Sequence, residues 1–147
     1  MKKKIFALCL ATGLVFGLNA QQKVKDADVP AAVKTAFNTA YANAKDIDWK
    51  MKDGKYKVHF EVGDNDQFAT YDQSGKLVSS GVEIRKSELP QAVTDAVKSG
   101  YSGRTIDDAY RVEMDGKTVY LVKLDGNPDT KVMYSAEGQV IKDKSDW

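Results

Sequence analysis

Val29-Pro30-Ala31-Ala32-Val33-Lys34-Thr35-Ala36-Phe37 returns sixty positions later as Leu89-Pro90-Gln91-Ala92-Val93-Thr94-Asp95-Ala96-Val97. Tyr41 then matches Tyr101 at the same spacing. Asp53-Gly54-Lys55 matches Asp115-Gly116-Lys117, and Tyr71 to Gly75 matches Tyr134 to Gly138. Four matched blocks in one order mark an internal duplication, the first thing to look for in a chain. Small loop insertions carry the offset from 60 to 63.

Each copy opens as a helix. A proline at the start is tolerated because its missing N–H would be unpaired there anyway. Val33, Ala36, Phe37, Ala40 and Tyr41 in the first copy, and Val93, Ala96, Val97, Gly100 and Tyr101 in the second, form one apolar stripe at helical spacing. Asn43 and Gly100 to Gly103 are the expected stops.

Each copy then turns strand-like. Trp49 to Lys52 and Tyr56 to Val62 alternate on either side of Asp53-Gly54, a hairpin signal. Tyr110 to Met114 and Thr118 to Leu124 repeat this around Asp115-Gly116. The turns Gly63 to Asp66 and Asp125 to Pro128 lead to Phe68–Asp72 and Lys131–Ser135, and two more turns lead to Leu77–Arg85 and Gln139–Lys142. The expectation is an α+β fold of two tandem α-β-β-β-β repeats, about 28–85 and about 87–144, in one domain over 21–147.

Alternation sorts the strands into faces. Trp49, Met51, Tyr56, Val58, Phe60, Val62, Tyr71 and Val78 are expected beneath the first helix. Tyr110, Val112, Met114, Tyr120, Val122, Leu124, Val132, Tyr134 and Ile141 are expected beneath the second. The opposite face carries Lys50, Lys52, Lys57, His59, Glu61, Phe68 and Thr70, against Arg111, Glu113, Val119, Leu121, Lys123, Lys131 and Met133. Val119, Leu121 and Met133 stand where the first copy has Lys57, His59 and Thr70. With Phe68 and His59 they form a candidate partner-binding face, as an exposed apolar cluster on a polar sheet would. The alternative is that the other half, a terminal segment or a second protomer covers them.

The duplicated part follows a leader. Lys2 to Lys4 precede the apolar run Ile5–Leu18, and Ala20 is a suitable residue before a cut, which reads as a secretory signal peptide. The run is short for a membrane span, and no second one follows. Cys9, the single cysteine, lies within the leader and lacks the lipidation pattern around it. The mature 127 residues would hold no cysteine, hence no disulfide, thiolate site or cysteine nucleophile. The whole chain carries 22 basic and 21 acidic residues. Loss of the leader's three lysines leaves a net charge of −2, which argues against nucleic acid. The expected location is periplasmic or secreted.

Catalytic chemistry is sparse. His59 is the lone histidine and has no partners at triad or metal spacing. Asp64-Asn65-Asp66 fails as a calcium loop because Phe68 stands at the third ligand position. Asp107-Asp108 is the remaining acidic pair. No phosphate loop or nucleophile elbow is present. The reading is no enzyme, no catalytic residues, no metal and no cofactor.

The Val-Pro and Leu-Pro helix starts, the Asp-Gly-Lys hairpins and the Tyr-x-x-x-Gly turns, duplicated behind a leader, resemble the PepSY-like, β-lactamase-inhibitor-like family over the whole mature chain. That resemblance implies one eight-stranded curved sheet with both helices on its convex side, in a periplasmic protein of the Bacteroides group. In the true inhibitors the concave side grips the enzyme. Their contact residues and disulfides have no counterpart here. The expected function is an exported non-enzymatic binding module whose partner is a secreted or periplasmic protein, an inhibited peptidase or other hydrolase being the specific form. The alternatives are a self-assembling envelope protein and, last, a carboxylate-based hydrolase using Asp107.

Overall fold

The computed structural model describes residues 21–143; the leader, with its cleavage site and Cys9, and residues 144–147 lie outside them. The elements run β1 (Gln22–Val24), α1 (Ala31–Ala40), β2 (Lys45–Lys52), β3 (Lys55–Val62), β4 (Asn65–Tyr71), β5 (Leu77–Ile84), α2 (Gln91–Gly100), β6 (Ile106–Met114), β7 (Lys117–Leu124), β8 (Thr130–Tyr134) and β9 (Val140–Asp143). All nine strands form one sheet in chain order. Every neighbouring pair is antiparallel. The eight expected strands are present, and β1 adds a ninth beside β2.

Pro30 and Pro90 cap the two helices with matching extended backbone, and the Tyr41 and Tyr101 N–H groups close them by donating to the Phe37 and Val97 carbonyls. Val33 and Phe37 of α1 are buried on Val58, Phe60, Ala69 and Tyr71. Val93 and Val97 of α2 are buried on Ala109, Val122, Val132 and Tyr134. Each such side chain contributes about 1.5–3 kcal/mol by leaving water. The first core is aromatic: Phe37 meets Trp49 and Phe60 edge-on at 5.3 and 5.0 Å. The second uses Val97 and Val122 at the equivalent places.

The Asp-Gly turns are hairpins with both central residues at positive φ, 49° and 71° in one and 52° and 70° in the other, the geometry that follows strand twist. The Tyr-x-x-x-Gly turns have a different reason for their glycines. Gly75 and Gly138 lie against the first turns of α1 and α2. A Cβ at Gly75 would stand 2.6 Å from the Ala32 carbonyl oxygen, and one at Gly138 would collide with that of Ala92. These turns dock each sheet half to its own helix.

Candidate functional site

The face without helices is built from rows of side chains set by strand register. One row runs Asp48, His59, Phe68, Gly81, Val112, Val119 from β2 to β7. A second runs Lys50, Lys57, Thr70, Ser79, Met114, and a third Glu83, Tyr110, Leu121, Met133. The sheet curls toward this side. Gln21 beside β1 and Ile141 on β9 border the same hollow of about 330 Å3, with Lys57, Met114 and Met133 at its floor.

Two expectations are corrected here. Tyr110, Val112 and Met114 do not lie beneath α2; they pack with Val119, Leu121 and Met133 on the concave side. Measured back from the matched Asp-Gly turns, Arg111 occupies Trp49's place and Val112 that of Lys50. A one-residue shift in strand phase reverses every side chain, and apolar alternation alone pointed the wrong way. Val78 and Ile141 likewise border the concave hollow, Ile141 with 46% exposure.

The second correction concerns the apolar cluster. Val119, Leu121, Met133 and Phe68 are 3, 4, 0 and 2% exposed, not presented to solvent. Of the possible covers, the other half of the molecule supplies one: Phe68 of the first copy packs among the three residues of the second. Gly81 makes room, since a Cβ there would collide with the Phe68 ring. His59 is half-buried, its ring 6.0 Å from that of Phe68, and Tyr110 flanks Phe68 at 5.8 Å.

The polar part of the face gathers cations. Lys57 is 8% exposed, with its ammonium 4.5 Å from the centre of the Phe68 ring. Burial, reinforced by Lys131 and Lys50, lowers its pKa to about 7. Burial and then Lys57 lower His59 to about 4, so it is neutral at pH 7. Burial and Lys123 lower Lys131. Lys57, His59, Phe68, Tyr110, Leu121 and Lys131 line a recess of about 200 Å3, which Asp108 and Lys123 also border. The nearby carboxylates have cations of their own. Asp48 lies 2.8 Å from Lys23 and 3.6 Å from Lys50. Asp107, Asp108 and Asp129 lie 3.8, 3.5 and 3.5 Å from Lys123.

Asp107 and Asp108 also border an open groove of about 660 Å3 at the junction of the copies. Their tie to Lys123 gives Asp107 no proton-transfer partner of the kind a carboxylate pair supplies. Asp64 lies in the turn before β4 and Asp66 pairs with Glu61 across it. Among the described residues no group of His, Cys, Asp and Glu could hold a metal ion, and no helix is long and apolar enough to cross a membrane. The sequence reading placed Lys50, Lys57 and Lys131 on this face without joining them. Only the curl brings β8 near β2 and β3. Gly81, a glycine in mid-strand, was the available signal that another group lies close above the sheet.

A family model described as "Putative beta-lactamase-inhibitor-like, PepSY-like" matches the chain twice, over residues 18–79 and 54–142. No curated protein matches it in sequence. Among solved structures, a "putative periplasmic" protein of Bacteroides eggerthii is similar at TM-score 0.66 and 16% identity, over 79% of this chain and 88% of that one. A DUF2874 family protein of Bacteroides uniformis is similar at TM-score 0.64 and 20% identity, over 78% and 88%. A BLIP-like protein of Bacteroides fragilis is similar at 0.58 and 22%, over 78% and 85%. At such identities the likeness is one of fold.

Proposed function

Because the chain belongs to the PepSY-like, beta-lactamase-inhibitor-like family, we propose that it is an exported binding module that works without catalysis and grips a periplasmic or secreted protein on its concave face. In its specific form it restrains an exported hydrolase such as a peptidase. The observation that carries this reading is the division of labour between the two faces. Helices fill one side of the sheet. The other is a curled surface with two hollows, an apolar floor and charged walls. Similar structures named as periplasmic and BLIP-like support the location and the class.

The test uses charge at the rim, because substitutions in the buried floor would unfold the protein. The mature protein and a Lys50→Glu/Lys131→Glu variant are cross-linked in periplasmic extract, and any captured partner is purified and titrated by calorimetry. The wild type is expected to bind and the variant to lose about tenfold or more in affinity, the size of one or two charge reversals at an interface. Equal affinity would remove the concave face from the proposal. A fall in the captured protein's hydrolytic activity on titration supports the inhibitor form. Self-assembly through the uncovered edge of β9, where Val140 and Ile141 are exposed, predicts a mass that grows with concentration in light scattering.

A further inference from the structure

The geometry points to the recess among Lys57, His59, Phe68, Tyr110 and Lys131 as a carboxylate pocket that receives one acidic side chain of a bound peptide segment. It deepens the binding-module reading and rests on it for the source of that segment.

The volume comes first. About 200 Å3 is below the usual range for drug-sized ligands and cofactors, and suits a single side chain. The walls come next. Lys57 and Lys131 reach the recess from β3 and β8, with Lys50 beside Lys57 across the β2–β3 pair. Two copies of the unit thus converge cations on one point. Asp108, on the same wall, lies 3.5 Å from Lys123 and offsets that lysine. The two remaining lysines raise each other's cost of charge, and an entering carboxylate relieves it. An ionised acceptor with charged donors in a partly dry site makes the stronger class of hydrogen bond.

The other walls set the shape of the guest. Phe68 and Tyr110 stand 5.8 Å apart and Leu121 closes the floor, so the methylene stem of a glutamate meets apolar surface. The His59 imidazole, neutral at pH 7, adds a donor or acceptor without adding charge. A phosphate would bring two charges and no stem, and leaves the aromatic walls unused.

The probe is the blocked tripeptide acetyl-Leu-Glu-Leu-amide, titrated into 15N-labelled mature protein and followed by amide shifts, with acetyl-Leu-Gln-Leu-amide as its uncharged match. Saturable shifts are expected at Lys57, His59, Phe68, Tyr110 and Lys131, with the glutamine peptide about tenfold weaker, the cost of removing the charge that the site is built for. Lys131→Gln should weaken the glutamate peptide about fivefold, near 1 kcal/mol for one partly exposed pair, while Lys131→Arg should largely keep binding. Lys117→Gln, an exposed lysine outside the recess, should leave it unchanged. Equal binding of both peptides, shifts away from the recess, or an unaffected Lys131→Gln would overturn the pocket. If a protein partner still loses affinity for the Lys50→Glu/Lys131→Glu variant in that event, the binding-module reading survives and only the carboxylate pocket fails.

Discussion

Lys57 is the residue with most at stake. An ordinary lysine titrates near 10.5; burial and two neighbouring lysines bring this one to about 7. Between those values the unfolded chain holds a proton that the folded chain lacks, so this group makes stability rise with pH. Below pH 7 both states are protonated and the cost of the buried charge is fully present. Lys57→Met should therefore stabilise the protein at pH 6 by about 1–3 kcal/mol, a discounted share of the shift. The gain should fade as pH approaches 10. Urea unfolding at pH 6, 8 and 10 checks this, and a variant no more stable than wild type at pH 6 would refute it. A residue that weakens the fold while facing a recess fits the trade between stability and binding seen at working sites.

Among the strands, β5 carries the second lesson. Gly81 lies between Phe68 and Val112 in the register, and its bare backbone lets the Phe68 ring lie flat over the sheet. Gly81→Ala should cost about 1–3 kcal/mol by overpacking. In a Phe68→Leu background it should cost less than half as much, measured as a coupling energy in a double-mutant cycle. Additive costs would show that the ring is not what excludes a methyl group. Helices, hairpins and the two units were all legible, because proline starts, Asp-Gly pairs and Tyr-x-x-x-Gly turns are local signals with local causes. β1 was not: Gln22-Lys23-Val24 is three residues with no apolar alternation, and only its pairing with Met51 to Trp49 makes it a strand. The face of β6 was misread because Tyr110, Val112 and Met114 are as apolar as a helix-facing set. Their true side follows from the hairpin register, which the matched turns already contained.

At the level of the molecule, the two copies share a core that neither owns. Phe68 from the first packs with Val112, Val119, Leu121 and Met133 from the second, and β5 pairs with β6 over six residues, Ser79 to Ile84. A fragment ending at residue 85 strips the cover from Phe68 and bares the whole edge of β5, which invites association. It should be unfolded or oligomeric by amide dispersion and light scattering, although it holds a complete helix and four of its strands. A folded monomer would show that the concave core is a convenience and not a requirement. The binding cluster was illegible for the same reason that the fragment should fail: Lys131 joins Lys50 and Lys57 through curvature, which accumulates over many strands and is written in no single one.

The curl also limits how the chain can grow. β5 closes one unit and offers its edge to the next, and β9 stands in the corresponding place with its outer edge uncovered. A third unit could in principle pair there. Yet Ile141 on β9 and Gln21 next to β1 already border one hollow, so another helix and four strands would run into the beginning of the sheet. The arc is used up at two. Duplication here made a cupped hand, and the curvature that cups it stops the count.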